Sequence, residues 1–191
     1  MGRSIILTDG EVALAVPEED DFKKEHVNDP IIRTFAYRPD YVEISDEKLR
    51  EIWMKQDFTV KTFSILHKGK FVGMLGFRLH NPIPDMWFEL YADRYQGIGT
   101  RAIKLGLLFE FLLAGEKAIY AITNEANIPA IRAMEKAGFK KFGKTKYTFK
   151  IGKKYHGAFW MVAYADRWLR ENEDYVKEVL DRSGYPVELF L

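Results

Sequence analysis

The chain has 191 residues, 47% of them apolar and 30% charged, so it can bury one sizeable core and is too short for two full domains. Its 29 basic and 28 acidic residues leave a net charge of +1, and this balance predicts neither a nucleic-acid partner nor a membrane partner. The absence of cysteine excludes disulfides, thiolate catalysis and cysteine-based zinc sites.

The first third of the sequence predicts strands with helical segments between them. An apolar run at Val12–Val16 indicates a first strand. Ser45 is a plausible N-cap for a helix that runs to about Lys55. Two further apolar runs, 62–66 and 71–77, flank the sequence His67-Lys68-Gly69-Lys70, and this pattern predicts a β-hairpin.

A strand that leads into a long helix is predicted in the middle of the chain. The segment Asn81–Asp85 is typical of a turn, and a strand follows at about Met86–Tyr91. The chain then passes through a glycine-rich run, 94–101, into the apolar stretch Ile98–Ala114. Because this stretch is apolar almost all round, we expect a helix buried against a sheet, with Gly115 as its stop.

The last third alternates strands and helices. A strand is predicted at Lys117–Ile122, followed by a short helix that Asn127 caps and Gly138 ends. Two β-rich segments follow, at about 140–151 and 155–164, and an amphipathic helix is predicted at about 166–182. Interleaved strands and helices throughout the chain predict a mixed α/β domain.

The glycine-rich run Arg94-Tyr95-Gln96-Gly97-Ile98-Gly99-Thr100-Arg101 carries the strongest functional signal. A strand that feeds such a turn into a helix N-terminus presents several unpaired backbone N–H groups to an anion, with the positive end of the helix dipole behind them. Gly97 and Gly99 lack Cβ atoms, so we expect positive φ angles and close approach of a phosphate there. Taken alone, the run is also compatible with an ordinary tight turn.

Two motifs together resemble those of the GNAT acetyltransferases. Arg94-x-x-Gly97-x-Gly99 is similar to the acetyl-CoA signature of that superfamily, and the segment 124–139 resembles its second motif, Asn-x-x-Ser/Ala ending in Glu-Lys-x-Gly-Phe. With the ending at 154–164, the second motif looks most like the subgroup that acetylates the N-termini (alanine or serine) of ribosomal proteins. The resemblance covers roughly residues 8–166.

The resemblance implies a three-layer GNAT-like fold of the α/β (α+β) class. Its central sheet would be mixed, mostly antiparallel, of about seven strands flanked by helices, and splayed between the fourth and fifth strands. Residues 8–166 would form the N-acetyltransferase domain. We expect residues 167–191, a C-terminal helix and an apolar tail, to pack on this domain or on a second subunit, which makes a homodimer possible.

The resemblance also implies acetyl-CoA as cosubstrate. Its pyrophosphate would lie on the N–H groups of the glycine turn, and its pantetheine arm would pair with the strand near Leu90. Asn127 would reach the pantetheine amides, a role compatible with its other interpretation as a helix cap. The expected cofactor-binding residues are Leu90, Tyr91, Arg94, Tyr95, Gln96, Gly97, Ile98, Gly99, Thr100 and Asn127.

Two carboxylates are candidates for the general base. Glu89 lies two residues before the expected splay point, on the same strand face as Tyr91, and could accept the proton of an attacking amine. Asp85 is the second candidate. The alternative interpretations are a solvated or ion-paired glutamate and a turn aspartate. A backbone N–H near Leu90 or Tyr91 is the expected donor to the thioester oxygen.

Two positions depart from the family pattern. Met134 stands where many members carry a tyrosine that protonates the departing thiolate, and methionine cannot donate a proton. Gly157 stands where the subgroup commonly has an acidic residue, so the acceptor site is expected to differ there.

The resulting prediction is an N-acetyltransferase that moves acetyl from acetyl-CoA to a primary amine by direct attack. A protein N-terminal α-amino group is the first choice of acceptor. The alternatives are a polyamine, amino acid or antibiotic acceptor, or a non-catalytic acyl-CoA-binding protein. The four histidines show no metal-ligand spacing, so no metal is expected. Without a secretory signal or a run of about 20 apolar residues, the sequence predicts a cytoplasmic protein.

Overall fold

The computed structural model describes residues 3–23, 29–35, 47, 51, 60–80, 83–151 and 153–190. The strands are β1 (Ile5–Thr8), β2 (Val12–Ala15), β3 (Val60–His67), β4 (Lys70–His80), β5 (Ile83–Leu90), β6 (Ala118–Asn124), β7 (Lys140–Ile151) and β8 (Lys154–Tyr164). They form one sheet in the order β1-β2-β3-β4-β5-β6-β8-β7. All neighbours are antiparallel except β5 and β6, which run parallel.

Helices cover this sheet and close its core. They are α1 (Pro30–Phe35), α2 (Ile98–Leu108), α3 (Ile128–Ala137), α4 (Ala165–Glu171) and α5 (Glu173–Arg182). Helix α2 packs against β2, β4 and β5, and α5 contacts β1. The core joins sheet residues such as Leu75 and Phe77 to helix residues such as Ile103, Leu107 and Trp168. The mixed, mostly antiparallel sheet flanked by helices confirms the expected fold class.

The expected gap in the sheet is present. Within the described residues, β5 and β6 pair only at Asp85 and Tyr120, so the two strands separate toward their carboxyl ends. The gap lies between the fifth and sixth strands rather than the fourth and fifth, because the sheet has eight strands instead of about seven. The additional strand is β1, in which Leu7 is fully buried and Ile5 pairs with Ala15 of β2.

The prediction of a turn at Asn81–Asp85 is wrong for the last three of these residues. Ile83, Pro84 and Asp85 belong to β5, and Pro84 pairs with Leu79 of β4. A proline is tolerated near the first residue of a strand, where its missing N–H costs little. Asn81 and Pro82 lie outside the described residues. The hairpin prediction is confirmed, with the two positive φ angles of a type I′ turn at Lys68 (49°) and Gly69 (78°).

The predicted C-terminal helix is two helices rather than one. The backbone breaks at Asn172, with φ −125° and ψ 25° between α4 and α5. The Asn172 side chain donates to the Trp168 carbonyl oxygen at 2.9 Å and accepts from Lys104 Nζ at 2.9 Å, so local hydrogen bonds compete with helix continuation.

The long middle helix also changes form along its length. After Leu108 it continues as a π-helical turn, Phe109–Leu113, before the chain reaches Gly115 with φ 81°, the predicted stop. The helix predicted from Ser45 to Lys55 lies outside the described residues, apart from Glu47 and Glu51, which are both helical.

Candidate functional site

The glycine turn between β5 and α2 has an unusual backbone. Asp93, Tyr95 and Gly97 have φ angles of 51°, 67° and 82°, so every second residue of the turn is left-handed. Alternating backbone conformations of this kind turn successive N–H groups toward one concave side. Gly97 caps α2, and a Cβ atom placed there would meet no atom within 4 Å. The turn is therefore open on its concave side.

The amide groups of this turn are available to a ligand. Within the described parts of the chain, the N–H groups of residues 95–100 donate to no protein acceptor, and the first helical bond runs from Arg101 N to Gly97 O at 3.2 Å. Free amides at a helix N-terminus attract anions, because the helix dipole adds positive potential. The arrangement supports the phosphate cradle predicted from the sequence.

The positive φ angle predicted for Gly99 is not observed. Gly99 lies inside the first turn of α2, and a Cβ atom there would lie 3.4 Å from Leu90 Cδ1 and from Phe88 Cε2. The missing Cβ therefore lets α2 lie close to β5, and Gly99 also lines the cleft.

A cleft of about 590 Å³ lies beside the turn, at the end of β5. It is lined by the last residues of β5, by the glycine turn and by residues of α1 and α3. The lining residues are Ile31, Ile32, Phe35, Phe88, Glu89, Leu90, Arg94, Tyr95, Gly97, Gly99, Thr100, Asn127, Ile128, Pro129, Ala130, Arg132, Ala133 and Lys136. Most of the expected cofactor residues therefore line one cavity.

Helix α3 presents a cap and two cations to this cleft. Asn127 Oδ1 accepts the Ala130 N–H at 3.3 Å, as the cap interpretation predicts. Arg132 and Lys136, one helical turn apart, are exposed on the cleft wall. Neither pairs with a carboxylate of the described residues. The sequence analysis missed both, although their i, i+4 spacing on the helix that Asn127 opens was a usable signal.

Glu89 lines the cleft and is held by a neighbouring phenol. Tyr91 Oη donates to Glu89 Oε2 at 2.9 Å, so these two side chains lie on one side of the strand as predicted. Asp85 is also in β5, in register with Tyr120, and does not line the cleft. Glu89 is therefore the better placed of the two candidate bases.

Two backbone N–H groups, those of Leu90 and Tyr91, were expected as donors to the thioester oxygen, and the structure leaves one of them available. Tyr91 N donates to Val72 O at 2.8 Å, and Ala92 N donates to the same oxygen at 3.2 Å, so the Tyr91 amide is already used within the sheet. Because N–H groups alternate in direction along a strand, the Leu90 N–H points away from β4, toward the gap beside β6. Leu90 is the remaining candidate for the oxyanion donor.

The Arg94 side chain binds protein groups rather than open space. Its Nε donates to Leu90 O at 2.7 Å, and Nη2 lies 3.0 Å from Asp29 Oδ1. The same Asp29 oxygen accepts the N–H groups of Ile31 at 2.8 Å and Ile32 at 3.1 Å. Burial favours a higher pKa for Asp29, but these hydrogen bonds outweigh it and hold the pKa below its usual value.

The two departures from the family pattern have structural explanations. Met134 is 3% exposed, lies in the core and does not line the cleft. At Gly157, a Cβ atom would lie 2.5 Å from Thr145 O, so the backbone leaves no room for an acidic side chain. The Gly157 N–H instead donates at 2.6 Å to the carboxylate of Glu125, which also pairs with Lys144 at 2.6 Å.

Across the described residues, no three His, Asp or Glu side chains are grouped so that they could hold a metal ion. Nor is any helix in the described segments long and apolar enough to span a membrane.

Comparison with known protein families identifies the domain to which most of the chain belongs. A family model described as an acetyltransferase (GNAT) domain matches residues 12–140. No curated protein sequence matches the chain significantly.

Solved structures share the fold at low sequence identity. Spermidine N-acetyltransferase from Vibrio cholerae, in complex with CoA and spermine, is 18% identical, with a TM-score of 0.74 over 83% of this chain and 98% of that chain. The ribosomal L7/L12 α-N-protein acetyltransferase RimL, in complex with coenzyme A, is 17% identical, with a TM-score of 0.74 over 85% and 99%. RimJ from Mycobacterium smegmatis, in complex with CoA-disulfide, is 17% identical, with a TM-score of 0.72 over 85% and 86%.

Proposed function

The chain belongs to the GNAT acetyltransferase family and is an acetyl-CoA-dependent N-acetyltransferase, and we propose that its acceptor is the α-amino group of a protein. The form of the second motif and the sequence at 154–164 support this acceptor, since they resemble the subgroup that acetylates ribosomal proteins. RimL, a protein of that kind, shares the fold.

The charge of the cleft is the observation that carries the choice of acceptor. Among the described residues that line it, Glu89 is the single carboxylate. A polyamine or an aminoglycoside carries several positive charges and would gain most from several carboxylates. An N-terminal amine brings one positive charge, which one carboxylate can match.

The residues present fit acetyl-CoA as the donor. The free N–H groups of residues 95–100 suit the pyrophosphate, and Arg132 and Lys136 are free to pair with further phosphate oxygens. The Asn127 side chain, at the start of the same wall, suits the amides of the pantetheine arm. Bound acetyl-CoA supplies a thioester whose acetyl group an amine can attack directly.

The chain's own groups then have separate roles in acetyl transfer. Glu89, oriented by Tyr91, takes the proton of the amine directly or through a water molecule. The Leu90 N–H stabilises negative charge on the carbonyl oxygen. Met134 cannot protonate the departing thiolate, and the thiolate of coenzyme A needs little help to leave at neutral pH. We also propose that the protein forms a homodimer.

A panel of acceptors tests the proposal. Thiol release from acetyl-CoA is measured with a lysine-free peptide that has a free α-amino group, the same peptide with a blocked N-terminus and one added lysine, spermidine, and an aminoglycoside. We expect kcat/KM for the free α-amine to exceed that of every other acceptor by about tenfold or more. Faster turnover of spermidine or the aminoglycoside would contradict the choice of acceptor while leaving the acetyltransferase activity intact.

A further inference from the structure

We propose that Arg94 is a positioning residue for the acceptor side of the cleft, acting through its ion pair with Asp29, and that its guanidinium is not a phosphate ligand. The pair, named here the Arg94–Asp29 link, joins the glycine turn to α1. The inference rests on the proposed function, because it concerns the wall against which the amine would lie.

The position of the guanidinium supports the first half of this proposal. Both of its described partners are protein groups: the Leu90 carbonyl oxygen at 2.7 Å and the Asp29 carboxylate at 3.0 Å. The side chain of Arg94 is 19% exposed and that of Asp29 is 21% exposed, so water screens this pair only in part. Asp29 competes with a phosphate for this guanidinium, whereas neither Arg132 nor Lys136 pairs with a carboxylate of the described residues.

Asp29 carries the link into α1. Its Oδ1 accepts the amides of Ile31 and Ile32 in addition to the contact with Arg94. The lowered pKa of Asp29 keeps the carboxylate charged at neutral pH. One oxygen atom therefore caps α1 and fastens its first turn to the glycine turn.

The place of α1 depends on contacts outside the helix. Helices in proteins draw most of their stability from tertiary contacts rather than from their own hydrogen bonds, so the contact of Asp29 with Arg94 helps to fix the place of α1. Its residues Ile31, Ile32 and Phe35 line the same cleft as the glycine turn. Loosening the link should move this apolar wall, while the free amides of residues 95–100 keep their positions.

Asp29→Asn isolates the ion pair from the cap. Asparagine is as good an N-cap as aspartate, so it preserves the bonds to Ile31 and Ile32 and removes only the charge that faces Arg94. Asp9→Asn is the matched control. Asp9 also caps a turn, through the amides of Glu11 and Val12, and pairs at 2.8 Å with Arg101, but it does not line the cleft.

The experiment measures the effect of each variant on CoA binding and on the acceptor amine separately. CoA affinity is measured by calorimetry, and KM and kcat are measured with the amine that the wild type acetylates best. For Asp29→Asn we expect acceptor KM to rise about three- to tenfold, with kcat and the CoA Kd within about twofold of wild type. For Asp9→Asn, all three values should stay at the wild-type level.

Arg94→Gln and the double variant complete the test. Arg94→Gln should raise acceptor KM as Asp29→Asn does, and the double variant should add no further increase, because both changes break the same link. CoA affinity of Arg94→Gln should stay within about twofold of wild type. The proposal is overturned if Arg94→Gln weakens CoA binding by more than this while Asp29→Asn does not, the pattern of a phosphate ligand. It is also overturned if acceptor KM is unchanged in both folded variants.

A failure of the proposed function would look different. If the wild type acetylates another amine faster than the α-amino peptide, the acceptor is wrong, but the comparison of variants proceeds with that amine. The calorimetric arm needs no turnover at all, so the role of Arg94 toward CoA is decided in either case.

Discussion

Glu89 is the carboxylate best placed to take a proton from an attacking amine. We expect Glu89→Gln to lower kcat/KM by a factor of about 100 or more, because glutamine cannot accept the proton, and to leave CoA affinity unchanged. The residual activity should rise with pH as the fraction of neutral amine grows. Thiol release and calorimetry measure the two quantities.

Asp85→Asn is the comparison for this prediction. Asp85 shares the strand with Glu89 but does not line the cleft, so its loss should change kcat/KM much less. An equal loss in both variants, or none in Glu89→Gln, would refute Glu89 as the base.

The residues that the sequence could predict are those with a local signal. Asn127 and Gly97 are recognisable because a cap and a left-handed turn are properties of neighbouring residues. Asp29 and Arg94 are 65 positions apart, and nothing in either local sequence predicts that they meet. Long-range ion pairs of this kind depend on how α1 packs, which single-sequence patterns do not encode.

At the scale of elements, two left-handed glycines, one at each end of the long middle helix, offer a matched pair of substitutions. Gly97 and Gly115 have φ angles of 82° and 81°, and a Cβ atom at either would meet no atom within 4 Å. Alanine in this conformation costs about 1 kcal/mol of stability, so both variants should lose similar amounts in denaturant unfolding.

Binding should separate the two glycine variants. Only the Gly97→Ala methyl group lies at the cleft, where it would obstruct a phosphate on the neighbouring amides. We expect Gly97→Ala to weaken CoA binding and Gly115→Ala to leave it unchanged, as measured by calorimetry. Equal CoA affinity in the two variants would argue against the cradle.

A buried ion pair joins two elements of the core. Lys61 of β3 contacts both carboxylate oxygens of Glu110, at 2.8 and 3.0 Å, and Glu110 is fully buried in the π-helical turn. Burial raises the pKa of Glu110, and the hydrogen bonds from Lys61 oppose that rise. Lys61→Met should therefore destabilise the protein by about 3 kcal/mol, because it leaves the carboxylate without a partner.

The stability of Lys61→Met should depend on pH, because the pKa of Glu110 is raised in the folded protein. A carboxyl whose folded pKa is raised contributes stability fully below its unfolded pKa and loses it as pH rises through the folded pKa. Removing Lys61 raises the pKa of Glu110 in the folded protein further. The loss of unfolding free energy in Lys61→Met should therefore be larger at pH 8 than at pH 5. Adding Glu110→Gln should recover part of it. A deficit independent of pH would contradict this account of the pair.

Elements were predictable where periodicity or turn chemistry is strong. The β3–β4 hairpin and the helix from Asn127 to Gly138 agree with the predictions, because both are marked by their own turn and capping residues. Strand β1 was missed because its apolar run, residues 5–7, is shorter than the four to eight residues that indicate a strand. The break at Asn172 was missed because Lys104, a distant residue, supports it.

At the scale of the whole molecule, the C-terminal segment extends the core. Val187 and Phe190 pack against it, Tyr185 and Phe190 contact each other with ring centroids 6.2 Å apart, and Leu189 is 77% exposed. We expect deletion of residues 184–191 to lower the free energy of unfolding, since it uncovers apolar surface. Sedimentation velocity on the same samples tests the proposed homodimer. Unchanged stability together with unchanged mass would refute a packing role.

The separation of β5 from β6 beside the glycine turn is the feature on which we propose that the activity depends. A crystal structure with CoA bound tests this most directly. The pyrophosphate should contact the amides of residues 95–100, and the sulfur should lie in the gap, near the Leu90 N–H and Glu89. A pyrophosphate bound away from these amides, or a sulfur outside the gap, would contradict the assignment of the site.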